Sequence, residues 1–229
     1  SCYAVHSTMY DIAKQALDAA AGAAVQYADV RVIHSRDRAL STKNGHAGHV
    51  AASESLGLGI RVLLNGAWGF AATDDLTPAG VGKAARLAAA IARASATTTR
   101  HPAPFADEPA YQDQWVSPCE KDPFAMPVEE QLGFLLGLDA AMRAEPKVTL
   151  AETSLHVSWS RQWFVNSEGS AIDQTRTMTG AGIAAHCFAG DEIQKRSYPN
   201  SFGGQYQLKG WELVEELDFS RHAPRVAAE

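Results

Sequence analysis

Polar and apolar positions alternate through several stretches of the chain, and a few windows between them read as helix. Residues 8–22 read as a first helix: Thr8 with Asp11 resembles a capping box, and Gly22 stands as a plausible C′ residue. In 27–35, Ala28, Val30 and Val32 alternate with Asp29, Arg31 and Ile33, the period of a strand. Asn44-Gly45, inside 38–53, separates two short extended segments and predicts a hairpin.

The stretch 54–78, ESLGLGIRVLLNGAWGFAATDDLTP, carries the strongest local signal. Asn65-Gly66 predicts a second two-residue hairpin, because both central positions of a type I′ turn need positive φ. That turn sets Leu64 opposite Ala67, Leu63 opposite Trp68, Val62 opposite Gly69 and Arg61 opposite Phe70. Leu56, Leu58, Ile60, Val62 and Leu64 then share one face with Ala67, Gly69 and Ala71. Trp68 and Phe70 share the other face with Gly57 and Gly59, where missing side chains leave room for rings. Gly59→Val is therefore expected to overpack and cost about 1–3 kcal/mol. A dinucleotide fingerprint needs its glycines between strand and helix, with a third at fixed spacing. These glycines sit inside a strand, which argues against a phosphate-cradling loop.

Thr77 and Pro78 predict the N-cap and first position of a helix running to about residue 97, with Val81, Ala85, Ala88 and Ile91 inward. Residues 101–127 hold six of the ten prolines and read as a long crossing or linker, neither helix nor central strand. Pro127 opens a helix with Val128, Leu132, Leu135, Leu138 and Met142 on one face, and Pro146 stops it. From 147 to about 207 the pattern predicts an antiparallel meander with turns at 166–169 and Gly190-Asp191. Trp211, Val214 and Leu217 begin another helix, and Ser220 reads as the cap of a last one. A chain ending inside a fresh amphipathic pattern reads as a fragment. The expected fold class is α+β, with antiparallel or mixed sheets built from hairpins and packed helices. Its expected parts are a hairpin-and-helix subdomain over 1–100, a proline-rich connection over 101–127, and a helix plus β-meander over 128–229.

Composition narrows the function classes. With 46% hydrophobic and 20% charged residues the chain reads as a globular domain. No run of about 18 apolar residues predicts a membrane span, and the N-terminal residues lack the pattern of a signal peptide. Cys2, Cys119 and Cys187 are odd in number and far apart, which favours a reducing cytoplasm. A net charge of −6 argues against direct nucleic-acid binding, and Lys83, Arg86 and Arg93 read as the solvated side of a helix.

No catalytic or metal-binding set is visible. His46 and His49 are three apart, which on extended backbone points them to opposite faces, and His34 adds nothing definite. No histidine is followed by glutamate, as a helical zinc-peptidase motif would require. His186 and Cys187 are strand neighbours that point apart, while a nucleophile and its base must come within hydrogen-bond reach. Glu152, Glu168 and Asp173 make no specific carboxylate pair.

The order of ADVRV, the block NGHAGHVAASESLGLGIRVLLNGAWGFAATDDLTP and the alanine-rich AAAIARAS resembles the TldD/PmbA family, metallopeptidases once called modulators of DNA gyrase. VNSEGSAIDQTRT and GDEIQKRSYPNSFGG are similar to later parts of the same N-terminal region. Members of that family are roughly twice this length. Their zinc site, a helical His-Glu-x-x-x-His with a later cysteine, lies in a C-terminal region that this chain does not reach. The resemblance implies no zinc ligand, no other cofactor and no catalytic residue in these 229 residues, with zinc expected in the missing region. It implies the substrate-admitting region of a zinc metallopeptidase that processes or degrades unstructured peptides. As partners it implies peptide or unfolded-protein substrates and a homodimer, or a heterodimer with a related member.

The residues nearest in sequence to the expected zinc region suggest where substrate would lie. Within 196–204, Arg196 could meet a peptide carboxylate and Tyr198 could cover an extended chain. Pro199 and Asn200 suit a turn, and Gly203-Gly204 suit unusual φ or close backbone approach. An ordinary mobile connection is the competing reading of this loop. For the whole chain the competitors are a non-catalytic regulatory or partner-binding protein of the same fold, and an enzyme or nucleic-acid binder of unrelated type.

Overall fold

The computed structural model describes residues 2–22, 24–106, 108–201 and 203–229, with side chains from residue 9 onward. The chain is α+β. Its elements are α1 (Cys2–Ala20), β1 (Val25–Lys43), β2 (His46–Leu64), β3 (Ala67–Thr73), α2 (Pro78–Ala96), β4 (Gln112–Val116), α3 (Val128–Arg143), β5 (Leu150–Asn166), β6 (Ala171–Ala189), β7 (Glu192–Tyr198), β8 (Gln205–Gln207), α4 (Glu212–Glu216) and α5 (Phe219–Ala228). Strand order is β3-β2-β1-β5-β6-β4, with β7 and β8 also pairing β6. Two compact units result: 1–35, 55–116 and 160–175 form the first, and 36–54, 117–159 and 176–229 form the second.

Both Asn-Gly pairs, Asn65-Gly66 in the first unit and Asn44-Gly45 in the second, behave as their chemistry demands. Asn44 and Gly45 have φ of 47° and 79°, and Asn65 and Gly66 have 49° and 73°. The β2–β3 register is the one the turn dictates, Leu64 opposite Ala67 through Arg61 opposite Phe70. Leu58, Ile60, Val62, Leu64 and Ala71 are buried with Val30, Val32 and the inner face of α2. Burying each large aliphatic side chain contributes about 1.5–3 kcal/mol. Leu56 stays 37% exposed at the end of the row.

Thr77 caps α2 by accepting the Gly80 N–H at 3.2 Å, with Pro78 following. The buried stripe is Val81, Ala85, Ala88 and Ala92; Ile91, the expected fourth member, is 38% exposed. Alanine in that row lets the helix come down onto β3. A Cβ on Gly69 would stand 2.1 Å from the Ala88 carbonyl oxygen and 2.4 Å from the Ala92 nitrogen. Gly59 meets a ring, as its face requires, and the ring is Phe70 at 3.2 Å from a built Cβ. Gly57 lies against the Thr73 backbone instead. Trp68 packs edge-on to Tyr27 and Phe105, with centroids 5.9 and 6.4 Å away.

The first helix departs from expectation at both ends. It begins at Cys2, so Thr8 is interior backbone rather than a cap, and the side-chain half of the capping box lies outside the described residues. Gly22 lacks positive φ, and the helix closes with Ala21 N–H donating to the Leu17 carbonyl at 3.1 Å. In the proline-rich crossing, β4 adds in parallel to the start of β6 at the end of the strand order, an edge position.

The second unit buries Leu135, Leu138 and Met142 of α3 and Phe219, Ala223 and Val226 of α5 against Leu155, Val157 and Ile183 of the strands. Leu132 and Val128 are only half-buried, and polar Gln131 and Asp139 join the buried face of α3. Each is satisfied there. Gln131 donates to the Pro123 carbonyl and accepts from Arg38, both at 2.8 Å. Asp139 accepts from Thr42 at 3.2 Å and from Arg143 one turn later. The last helix starts after Asp218, a left-handed residue with φ of 44°, so Ser220 is its second residue rather than its cap.

Candidate functional site

Along β1, β5, β6 and β7 of the second unit, odd and even positions take opposite faces. Leu40, Ala151, Leu155, Ile183 and Ala185 go inward among α3 and α5. The alternate residues, Ser41 and Lys43, Glu152 and Ser154, Gly182 and Ala184, Lys195 and Ser197, line an open cleft of about 430 Å³. Ser201 and Gly203 close one side of it.

The wall that includes Ser201 and Gly203 is built on glycines. Gly203 and Gly204 have φ of 89° and 134°. A Cβ on Gly204 would stand 2.5 Å from the Ala181 carbonyl oxygen, and one on Gly182 would stand 2.6 Å from the Gly203 carbonyl oxygen. Two backbones therefore run in contact, as Gly203-Gly204 suggested. Ser154 donates to the Gly203 carbonyl at 3.2 Å, and Asn200 donates to the Gly204 carbonyl at 2.9 Å.

The four residues read from the sequence as substrate contacts take different positions. Gly203 lines the cleft, and Gly204 seats the loop on β6. Tyr198 is turned to α5, stacked on His222 with centroids 3.9 Å apart and edge-on to Phe219 at 5.6 Å. Arg196 is exposed, and its guanidinium donates to Lys195 O and Gln194 Oε1 of its own strand. Lys195 and Ser197, the cleft-facing residues of β7, went unread because EIQKRSY shows no apolar alternation to fix its faces.

The cleft's charges are unequally matched. Glu152 lies 3.9 Å from Lys43 Nζ and 3.3 Å from His186 Nε2. Lys195 makes no ion pair among the described residues. Glu168 and Asp173 belong to the first unit, where Asp173 accepts a fork from Arg161 at 3.1 and 2.8 Å. His46 and His49 are exposed on β2.

The first unit has its own groove, about 630 Å³, over Ile33, Gly57, Gly59 and Phe70. Its two cations are already engaged. Arg61 donates to buried Asp29 at 2.6 and 2.9 Å, and Arg31 donates to the same carboxylate. The Asp29 hydrogen bonds raise the Arg61 pKa further above its ordinary value. That groove offers an apolar floor, and both of its arginines are held by one buried carboxylate.

Among the described residues no group of three or more His, Cys, Asp or Glu side chains could hold a metal ion. No described helix is long and apolar enough to cross a membrane.

Long hairpin strands with an alanine-faced helix in one unit, and a meander with a glycine-seated loop in the other, define a two-part α+β protein. Residues 28–92 match the model of PmbA/TldA metallopeptidase domain 1, and residues 121–229 match that of the PmbA/TldA metallopeptidase central domain. The chain belongs to the TldD/PmbA family. A protein named Metalloprotease from Methanothermobacter thermautotrophicus is 27% identical over 193 residues, covering 84% of this chain and 41% of that protein. A structure from Thermotoga maritima, named for modulation of DNA gyrase, superposes with a TM-score of 0.73 at 12% identity, over 96% of this chain and 47% of its own. TldE from Thermococcus kodakarensis gives 0.66 at 16% identity, over 96% of this chain and 46% of its own. The last two likenesses show the fold. The chain spans less than half the length of these relatives.

Proposed function

We propose that this chain is the N-terminal, substrate-admitting region of a TldD/PmbA-type zinc metallopeptidase acting on unstructured peptides. Zinc and the catalytic groups would come from the part of the relatives' length that these residues do not span. The open cleft of the second unit carries this reading, because it joins strand faces, hydroxyls and a glycine-lined backbone wall. Such surfaces hold extended chains through main-chain contacts with little side-chain selectivity. Within the loop, Gly203 and Gly204 would present backbone to the peptide. Tyr198 would anchor the loop on α5, and Arg196 would act from the rim. A cytoplasmic setting and a homodimer, or a heterodimer with a related member, complete the reading.

The test uses the full-length protein and an unstructured reporter peptide. Ser197→Trp, which fills the cleft from β7, should lower kcat/KM at least tenfold, about 1.4 kcal/mol. Arg196→Ala and Tyr198→Ala should each cost more than twofold if the loop serves the cleft. An unchanged kcat/KM for Ser197→Trp would remove the cleft from the substrate path. Peptide binding without any cleavage would favour the non-catalytic regulatory reading.

A further inference from the structure

The cleft holds one cation too many. Lys43 and His186 both face Glu152, at 3.9 and 3.3 Å, so the cleft's one carboxylate is shared by groups on β1 and β6. Lys195 enters from β7 with no described acidic partner, two residues from Ser197 on the same strand face. The Ser41 and Ser197 hydroxyls make no described hydrogen bond and are free to donate to a ligand.

Resting on the peptide-admitting reading, we propose that Lys195, with the Ser41 and Ser197 hydroxyls, is a carboxylate subsite for the bound peptide. One uncompensated charge beside neutral donors suits a monoanion. A phosphate dianion is matched better by arginine forks or a helix N-terminus. Among the described residues the cleft lining contains no arginine, and Arg196 of β7 is turned along its own strand. The carboxylate is supplied either by the peptide's C-terminus or by an acidic side chain; the chemistry is the same, and the test separates the two. Because Lys195 is exposed, salt should weaken the preference.

The experiment is titration calorimetry of the full-length protein with three forms of one unstructured peptide. The first has a free C-terminus and no Asp or Glu, the second is its C-terminal amide, and the third is the amide with one internal Glu. At least one carboxylate-bearing form should bind about fivefold tighter than the plain amide, about 1 kcal/mol. The form that gains identifies the source of the carboxylate. Lys195→Met should bring all forms within twofold of one another, and Lys195→Arg should keep the preference. Equal binding of the three forms, or a preference that survives Lys195→Met, would overturn the subsite while leaving the cleft a peptide site. Absence of binding by every form would overturn the peptide-admitting reading itself.

Discussion

Replacing Gly69 by alanine adds one methyl group at the closest approach between a helix and a strand in the first unit. The new Cβ would stand 2.1 Å from Ala88 O, 2.4 Å from Ala92 N and 3.0 Å from Ala92 Cα. The shortest is about 1.3 Å below the 3.4 Å at which such contacts become ordinary. All three atoms are backbone, so no rotamer change relieves the clash. Either α2 lifts from β3 or the strand bends, and both disturb packing around Ala88 and Ala92, which are 0% exposed. Overpacking typically costs 1–3 kcal/mol, and a backbone-to-backbone clash belongs near 3 kcal/mol. For a chain of this size that corresponds to roughly a 6–12 °C fall in Tm. Gly59→Ala is the internal control on the same hairpin. Its Cβ would meet only the edge of Phe70 at 3.2 Å, and that ring is 57% exposed and free to swing. It should change stability by less than about 0.5 kcal/mol. Urea and thermal unfolding of the two variants decide the matter. A Gly69→Ala protein melting within a degree or so of the parent would refute the close-approach argument, as would a Gly59→Ala protein losing as much.

Thr77→Ala removes the cap on the Gly80 N–H and a 2.6 Å hydrogen bond to Asp75, and should cost about 0.5–2 kcal/mol in urea unfolding. Glu212 should make the protein acid-sensitive. Burial pushes its carboxyl up, but backbone N–H donors from Gly210, from its own residue, and from Glu120 and Lys121 outweigh that and hold it below the ordinary value. Its contribution is therefore complete above the unfolded-state pKa, about 4.3, and fades as pH falls through the lower folded-state value. Glu212→Gln should be less stable at neutral pH and lose less on acidification; parallel stability–pH curves would refute this. Dialysed protein of this sequence should carry no stoichiometric zinc, and elemental analysis finding one tightly held zinc per chain would reverse the expectation.

Local chemistry was legible where one residue pair dictates geometry. Asn65-Gly66 fixes the register of its hairpin because few other residues accept positive φ twice in succession, and Thr77-Pro78 fixes a helix start for similar reasons. Choices that depend on neighbours were not legible. Ile91 is a better hydrophobe than Ala92, yet a small residue wins the inner position because the helix must approach Gly69. Gln131 and Asp139 are polar and still buried, since Arg38, Thr42 and Arg143 meet them from distant parts of the sequence. The last helix is started by a left-handed aspartate rather than the more usual serine cap. In the cleft, Gly203 and Gly204 announced a close backbone approach. The facing of Lys195 over Arg196 depended on strand parity, which a polar strand does not display.

The first unit is assembled from three separate stretches, the last of them 160–175. Its closing bonds are correspondingly distant, as where Ala28 N–H donates to Ser167 Oγ across 139 residues. On the ribosome, residues 1–35 must therefore wait for about 140 further residues before their sheet can be completed. At synthesis rates of about 5–20 residues per second that is roughly 7–30 s. During this interval the apolar row Val30, Val32, Ile60 and Val62 can have its α2 cover but not Trp163 or Val165. The nascent chain thus passes through a stage with an open strand edge, the condition under which holding chaperones are most needed.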